Sequence, residues 1–116
     1  MKVSYEGIGA LYATFSCTAL AEGTPVRISA AGTVAACSKG NEVAGVVTAV
    51  SRGKDACSVQ LRGFVTLPYS GTTAPSLGYN ALEADGAGGV KVGESSARER
   101  LVVEVDSTAG KVTFLL

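Results

Sequence analysis

Histidine and tryptophan are absent from this 116-residue chain, methionine occurs once and isoleucine twice, and four tyrosines and three phenylalanines are its only aromatics. The lack of histidine removes the commonest general base and a frequent metal ligand, so Ser-His and Cys-His nucleophile pairs are excluded. Cys17, Cys37 and Cys57 stand twenty apart with no Cys-x-x-Cys pair. A zinc site would need a fourth ligand, and the chain has no histidine to supply it. An odd cysteine count with no secretory leader argues against a disulfide framework, which leaves small buried or half-buried apolar residues as the reading and an intermolecular disulfide as the alternative.

An excess of one charge is also missing. Ten Lys and Arg balance ten Asp and Glu along the whole sequence. No basic block is present to neutralise phosphates or tether the chain to anionic lipid, so neither nucleic acid nor membrane is expected as a partner. Glu6 interrupts the place where a leader would need an apolar core, and the expectation is a protein assembled in the cytoplasm. Long hydrophobic runs are lacking too. The uncharged stretch from Gly63 to Leu82 contains Pro68, Pro75, three glycines and several hydroxyls, which no membrane helix could accommodate.

What the sequence does contain is valine, alanine and glycine: 15 Val, 17 Ala and 15 Gly. A β-branched, small-residue core suits closely spaced sheets better than a deep pocket lined with large aromatics. Length fits one domain that buries about 65% of the surface of its extended chain. Strand signals recur at Ala13 to Cys17, Pro25 to Ser29, Thr33 to Ala36, Gly45 to Val50, Ala56 to Leu61, Gly63 to Leu67, Ala81 to Ala84, Gly89 to Val92, Arg100 to Asp106 and Lys111 to Leu115. In the ninth, Leu101, Val103 and Val105 are expected to share a buried face with Val112 and Phe114 across the turn at Ser107 to Gly110. Ser96 to Glu99 has the capping-box pattern but no apolar run after it, so at most one helical turn is expected there.

The second half repeats the plan of the first. Gly23, a short strand, a small-residue turn, Val34 and the run from Val46 are matched some fifty-five positions later by Gly78, Ala81 to Ala84, a glycine-rich turn, Val90 and the run from Leu101. Each unit closes in a hairpin, giving loosely similar halves over about 23–61 and 78–115 within a single β domain spanning 21–116. Duplication and two independent meanders of similar pitch both remain open. Residues 1–20 read as an extended amino-terminal arm with the first strand, and Pro68 to Asn80 reads as a long central loop.

Two features invite chemistry and fall short of it. Glu104 and Asp106 could place carboxylates on one strand face about 7 Å apart, but an ordinary solvated face explains them. Gly86-Ala87-Gly88-Gly89 suggests a phosphate loop, yet Glu94 stands where a lysine would be needed and no helix pattern follows, so a β-turn is the better account.

Taken together, Gly45-Val46-Val47, the run Ala56 to Val65, Gly78, Asp85 to Val90 and Leu101 to Asp106 resemble the small capsid decoration proteins (cement, or head-fibre base) of tailed bacteriophages and prophages, from about Ala21 onward. The resemblance implies a compact small β-barrel or β-tulip-like domain of short antiparallel strands. It also implies a structural virion protein without catalytic residues, cofactor or metal, bound as a homotrimer to the major capsid protein on the outer shell. Tyr5, Tyr12 and Phe15 in the arm, with Pro68, Tyr69 and Tyr79 around the central loop, are the candidate contacts. A carbohydrate-binding or adhesin-like module is the second reading, although it would call for an exposed aromatic platform and export.

Overall fold

A computed structural model describes residues 9–93 and 97–116. Among them run ten strands: β1 Leu11–Ser16, β2 Pro25–Ala30, β3 Thr33–Ala36, β4 Gly45–Val50, β5 Ala56–Arg62, β6 Phe64–Ser70, β7 Gly78–Ala84, β8 Val90–Val92, β9 Glu99–Asp106 and β10 Lys111–Leu115. Each of the ten expected strands is present, and the fold is all-β. Tyr5 and Ser96, the first residue of the capping-box pattern, lie outside the described residues, while Glu99 opens β9.

The strands close into two five-stranded barrels rather than one, in the orders β1-β3-β2-β4-β5 and β10-β6-β8-β7-β9. An odd number of strands cannot close with every neighbour antiparallel, so each barrel needs a parallel pair. That pair is β1 with β3 in the first barrel and β6 with β8 in the second, a departure from the purely antiparallel expectation. All other pairs are antiparallel.

The second barrel therefore repeats the first strand for strand. Even its irregularities recur: the β4–β5 register shifts between Val47 and Ala49, and the β9–β10 register shifts between Val102 and Glu104. Five-stranded closure by itself demands a parallel pair, but it does not dictate that neighbour order and bulge position coincide as they do here. The matched spans 23–61 and 78–115 each omit an opening strand, because β1 and β6 carry few residues in common and are recognisable as equivalent only through their partners β5 and β10.

The same bulge corrects the phase expected for β9. An extra residue reverses the in-out alternation, so buried Val102 and half-buried Val105 pair with Phe114 and Val112, while Leu101 and Val103 are half-buried outside that core. The central loop is likewise shorter than its composition suggests. Pro68 to Ser70 complete β6 and Gly78 to Asn80 begin β7, leaving 71–77 as the connection.

Two cores result. Val26, Val34, Val47, Val59, Cys17 and Cys57 fill the first barrel, and Leu67, Leu82, Val90, Val102, Val112 and Phe114 are the main filling of the second. The second core also takes in Val43 and Val46 from the first half of the chain. The loop at 37–44 binds the other barrel through its backbone, with Gly40 N–H donating to Ala84 O at 2.9 Å and Ala84 N–H to Asn41 O at 2.9 Å. The radius of gyration, 13.6 Å, is close to the roughly 13 Å expected of one compact unit this long, so the barrels are fused and not strung on a linker.

Candidate interaction surface

Closure decides how this molecule can meet a partner. Each barrel closes, so no whole strand lies at an open edge, although a link as short as Ser16 with Thr33 leaves much of β1 unpaired on that side; broad contact with a partner falls to outward side chains. Alternation along the strands sets which these are. On β1, Ala13 and Phe15 point towards the first core and Tyr12 points out, 50% exposed, beside its cross-strand partner Gln60. On β7, Tyr79 stands 70% exposed opposite Leu101.

Of the expected contact residues, Tyr12 and Tyr79 are thus presented to solvent on different barrels. Phe15 packs against the first core and Tyr69 against the second, so both rings are largely committed to packing. Pro68 is exposed on β6, opposite Lys111. Its position is tolerated because β8 pairs with β6 only from Tyr69 onward, so the missing N–H breaks no bond there. Among the described residues the remaining large exposed apolar side chains are Leu11, Ile28, Leu77 and Leu115, which composition alone assigns to a core. Leu77 had a local signal, lying between Pro75 and Gly78 in the loop.

The glycine-rich segment is a hairpin end in which the amides of Ala87 and Gly89 are already occupied. Asp85 Oδ1 accepts from Ala87 N–H at 2.7 Å and Gly89 N–H at 3.0 Å, and Oδ2 accepts from Ser70 Oγ at 2.8 Å. Burial raises the proton affinity of Asp85, but these bonds and one from its own N–H outweigh burial and hold the carboxyl below its ordinary pKa. Two of the donors a phosphate loop would offer are thus spent on a carboxylate, whose own charge would repel a phosphate. Glu104 and Asp106 lie on an exposed face opposite Thr113 and Lys111.

Burial likewise governs the thiols. Cys17 and Cys57 are buried and Cys37 is half-buried; all three are free. Burial pushes the Cys57 thiol up to about 11, helped by its contact with Cys17, and pushes Cys37 up to about 11 against the opposing charge of Arg27. Such thiols are poor nucleophiles and poor ligands at neutral pH. Among the described residues no group of three His, Cys, Asp or Glu side chains is placed to hold a metal ion, and no helix is long and apolar enough to cross a membrane.

One grouping had no sequence signal at all. Arg62 from β5, Arg98 from the approach to β9 and Arg100 from β9 itself line a common notch between the barrels. No family model matches the chain, and no curated protein sequence matches it.

Proposed function

We propose that the protein is a structural component of a phage virion that binds the major capsid protein on the outer shell and strengthens it, acting as a homotrimer assembled in the host cytoplasm. The observation that carries this reading is the exposure of large apolar side chains, Tyr12 and Leu11 on the first barrel and Tyr79 and Leu77 on the second, from two closed barrels. Exposed tyrosines on a stiff framework lose little conformational freedom on docking, which makes them effective anchors. A formal net charge of zero lets many copies crowd one surface, and threefold valency multiplies a weak contact. The resemblance of the sequence to capsid decoration proteins supports the same reading.

Co-sedimentation with undecorated capsids tests it. The intact protein is expected to pellet with capsids, and a Tyr12→Ala, Tyr79→Ala double variant to remain in the supernatant. Light scattering of the free protein is expected to give the mass of a trimer. A monomer that ignores capsids overturns the proposal.

A further inference from the structure

The chain has five arginines, and three of them converge where the barrels meet. Arg62 ends β5, Arg98 precedes β9 and Arg100 lies within it; with Glu42, Val43, Ala44, Leu61 and Leu116 they enclose a notch of about 300 Å³. For a molecule with no net charge this is a strong local concentration, three guanidiniums against one side-chain carboxylate in the lining, that of Glu42. Arg62 and Arg98 are exposed, whereas Arg100 is 7% exposed. Among the described residues the ion pair within 4 Å joins Lys91 to Glu83, and neither belongs to this notch.

Arg100 is the fixed element. Its Nη2 donates a 2.7 Å hydrogen bond to Val43 O, which ties β9 to the loop before β4 and sets the plane of the guanidinium. Burial, followed by repulsion from Arg98 and Arg62 and only partly offset by Glu42, lowers its affinity for its proton. Three cations held near one another in a partly desolvated notch are relieved by an anion. Arginine in all three places favours a planar oxyanion that can take paired N–H donors. Half-buried Leu61 and Ala44, with the small exposed edges of Val43 and Leu116, add a lesser apolar area that suits a short hydrocarbon stem.

We propose that this notch binds a carboxylate carried on a short apolar stem, with Arg62 and Arg98 gripping the carboxylate beside the prepositioned Arg100 and the stem lying on Val43, Leu61 and Leu116. A free organic acid and an acidic side chain of a protein share this chemistry. The site does not depend on the capsid reading, and its test needs no capsid.

Amide NMR spectra of the full chain titrated with sodium butyrate test the proposal, with butyramide as the stem without charge and inorganic phosphate as the charge without stem. Butyrate is expected to shift the amides of residues 42–44, 61–62 and 98–100 with a dissociation constant on the order of millimolar, as befits so small a ligand. Butyramide is expected to leave them unmoved and phosphate to bind about tenfold more weakly. Arg62→Gln and Arg98→Gln change exposed side chains and keep the fold; each is expected to weaken butyrate about fivefold, and the pair to abolish the shifts. A blocked Leu-Glu-Leu tripeptide separates the two sources. Tighter binding of the peptide than of butyrate assigns the site to a protein side chain, and weaker binding assigns it to a free acid. Absence of butyrate shifts, or equal binding by the double variant, overturns the proposal.

Discussion

Val46 and Val47 are consecutive on β4 yet belong to different cores, Val46 to that of the second barrel and Val47 to that of the first. Alternation along a strand sends neighbours to opposite faces, and here both faces are buried because β4 is a wall of one barrel that also covers the other. Gly45, Val46 and Val47 are accordingly all buried. A shared wall couples the two units. Val46→Ala and Val47→Ala are each expected to cost about 1–3 kcal/mol, and in each variant both barrels are expected to melt in one transition. Calorimetry that resolves two separate transitions would contradict the coupling.

Gly45, at the head of that wall, has no room for a side chain. A Cβ there would lie 2.5 Å from Gln60 O and 2.5 Å from Val59 Cγ1, so β5 would have to move. Gly110 differs: nothing lies within 4 Å of its Cβ position, but its φ of 67° is strained for any L side chain. Gly45→Ala is expected to cost about 3 kcal/mol through overpacking and Gly110→Ala about 1 kcal/mol through backbone strain. Urea midpoints of the two variants check that order.

These residues also show what could be read before the fold was known. Strand positions were legible because alternating valines and turn residues such as Ser51 to Asp55 are local signals. Phase was not. The bulge at Val103 depends on pairing with β10, and it moved the buried face from Leu101 to Val102. Parallel closure was hidden for a similar reason, since β1 meets β3 across an intervening hairpin. The repeat was visible where spacing is held, as with Val47 and Val102, and invisible in the opening strands. Of the residues singled out as contacts, Tyr12 and Tyr79 are exposed, but strand alternation turns Phe15 and Tyr69 towards the cores. No local pattern could reveal the arginine notch, because Arg62 and Arg100 are brought together only by the docking of two barrels.

The buried thiols give the protein an alkaline limit. Cys37 and Cys57 hold their protons up to about 11, against an ordinary value near 9. A raised folded-state pKa contributes stability that is complete below the unfolded value and disappears as pH rises through the folded one. Stability is therefore expected to fall between pH 9 and pH 11, and less steeply in a Cys37→Ser, Cys57→Ala variant. At pH 8 a thiol reagent is expected to label the native protein slowly and to label all three cysteines in denaturant. Fast native labelling of Cys57 would show that the first barrel opens readily.

Asp85 sets the corresponding limit in acid. Its carboxylate closes the β7–β8 hairpin by accepting from Ala87, Gly89 and Ser70, and its pKa is held low. A depressed folded-state pKa contributes stability that is complete above the unfolded carboxylate value, near 4, and is lost as pH falls through the folded value. Asp85→Ala removes the acceptor for two backbone amides at once and is expected to cost about 1–2 kcal/mol at pH 7. As pH falls below the ordinary carboxylate value, near 4, protonation favours the unfolded chain, so the gap between parent and variant is expected to narrow. Urea unfolding of both proteins at pH 7 and pH 2.5 measures the two gaps. Equal gaps would mean that the hydrogen bonds at Asp85 do not depend on its charge.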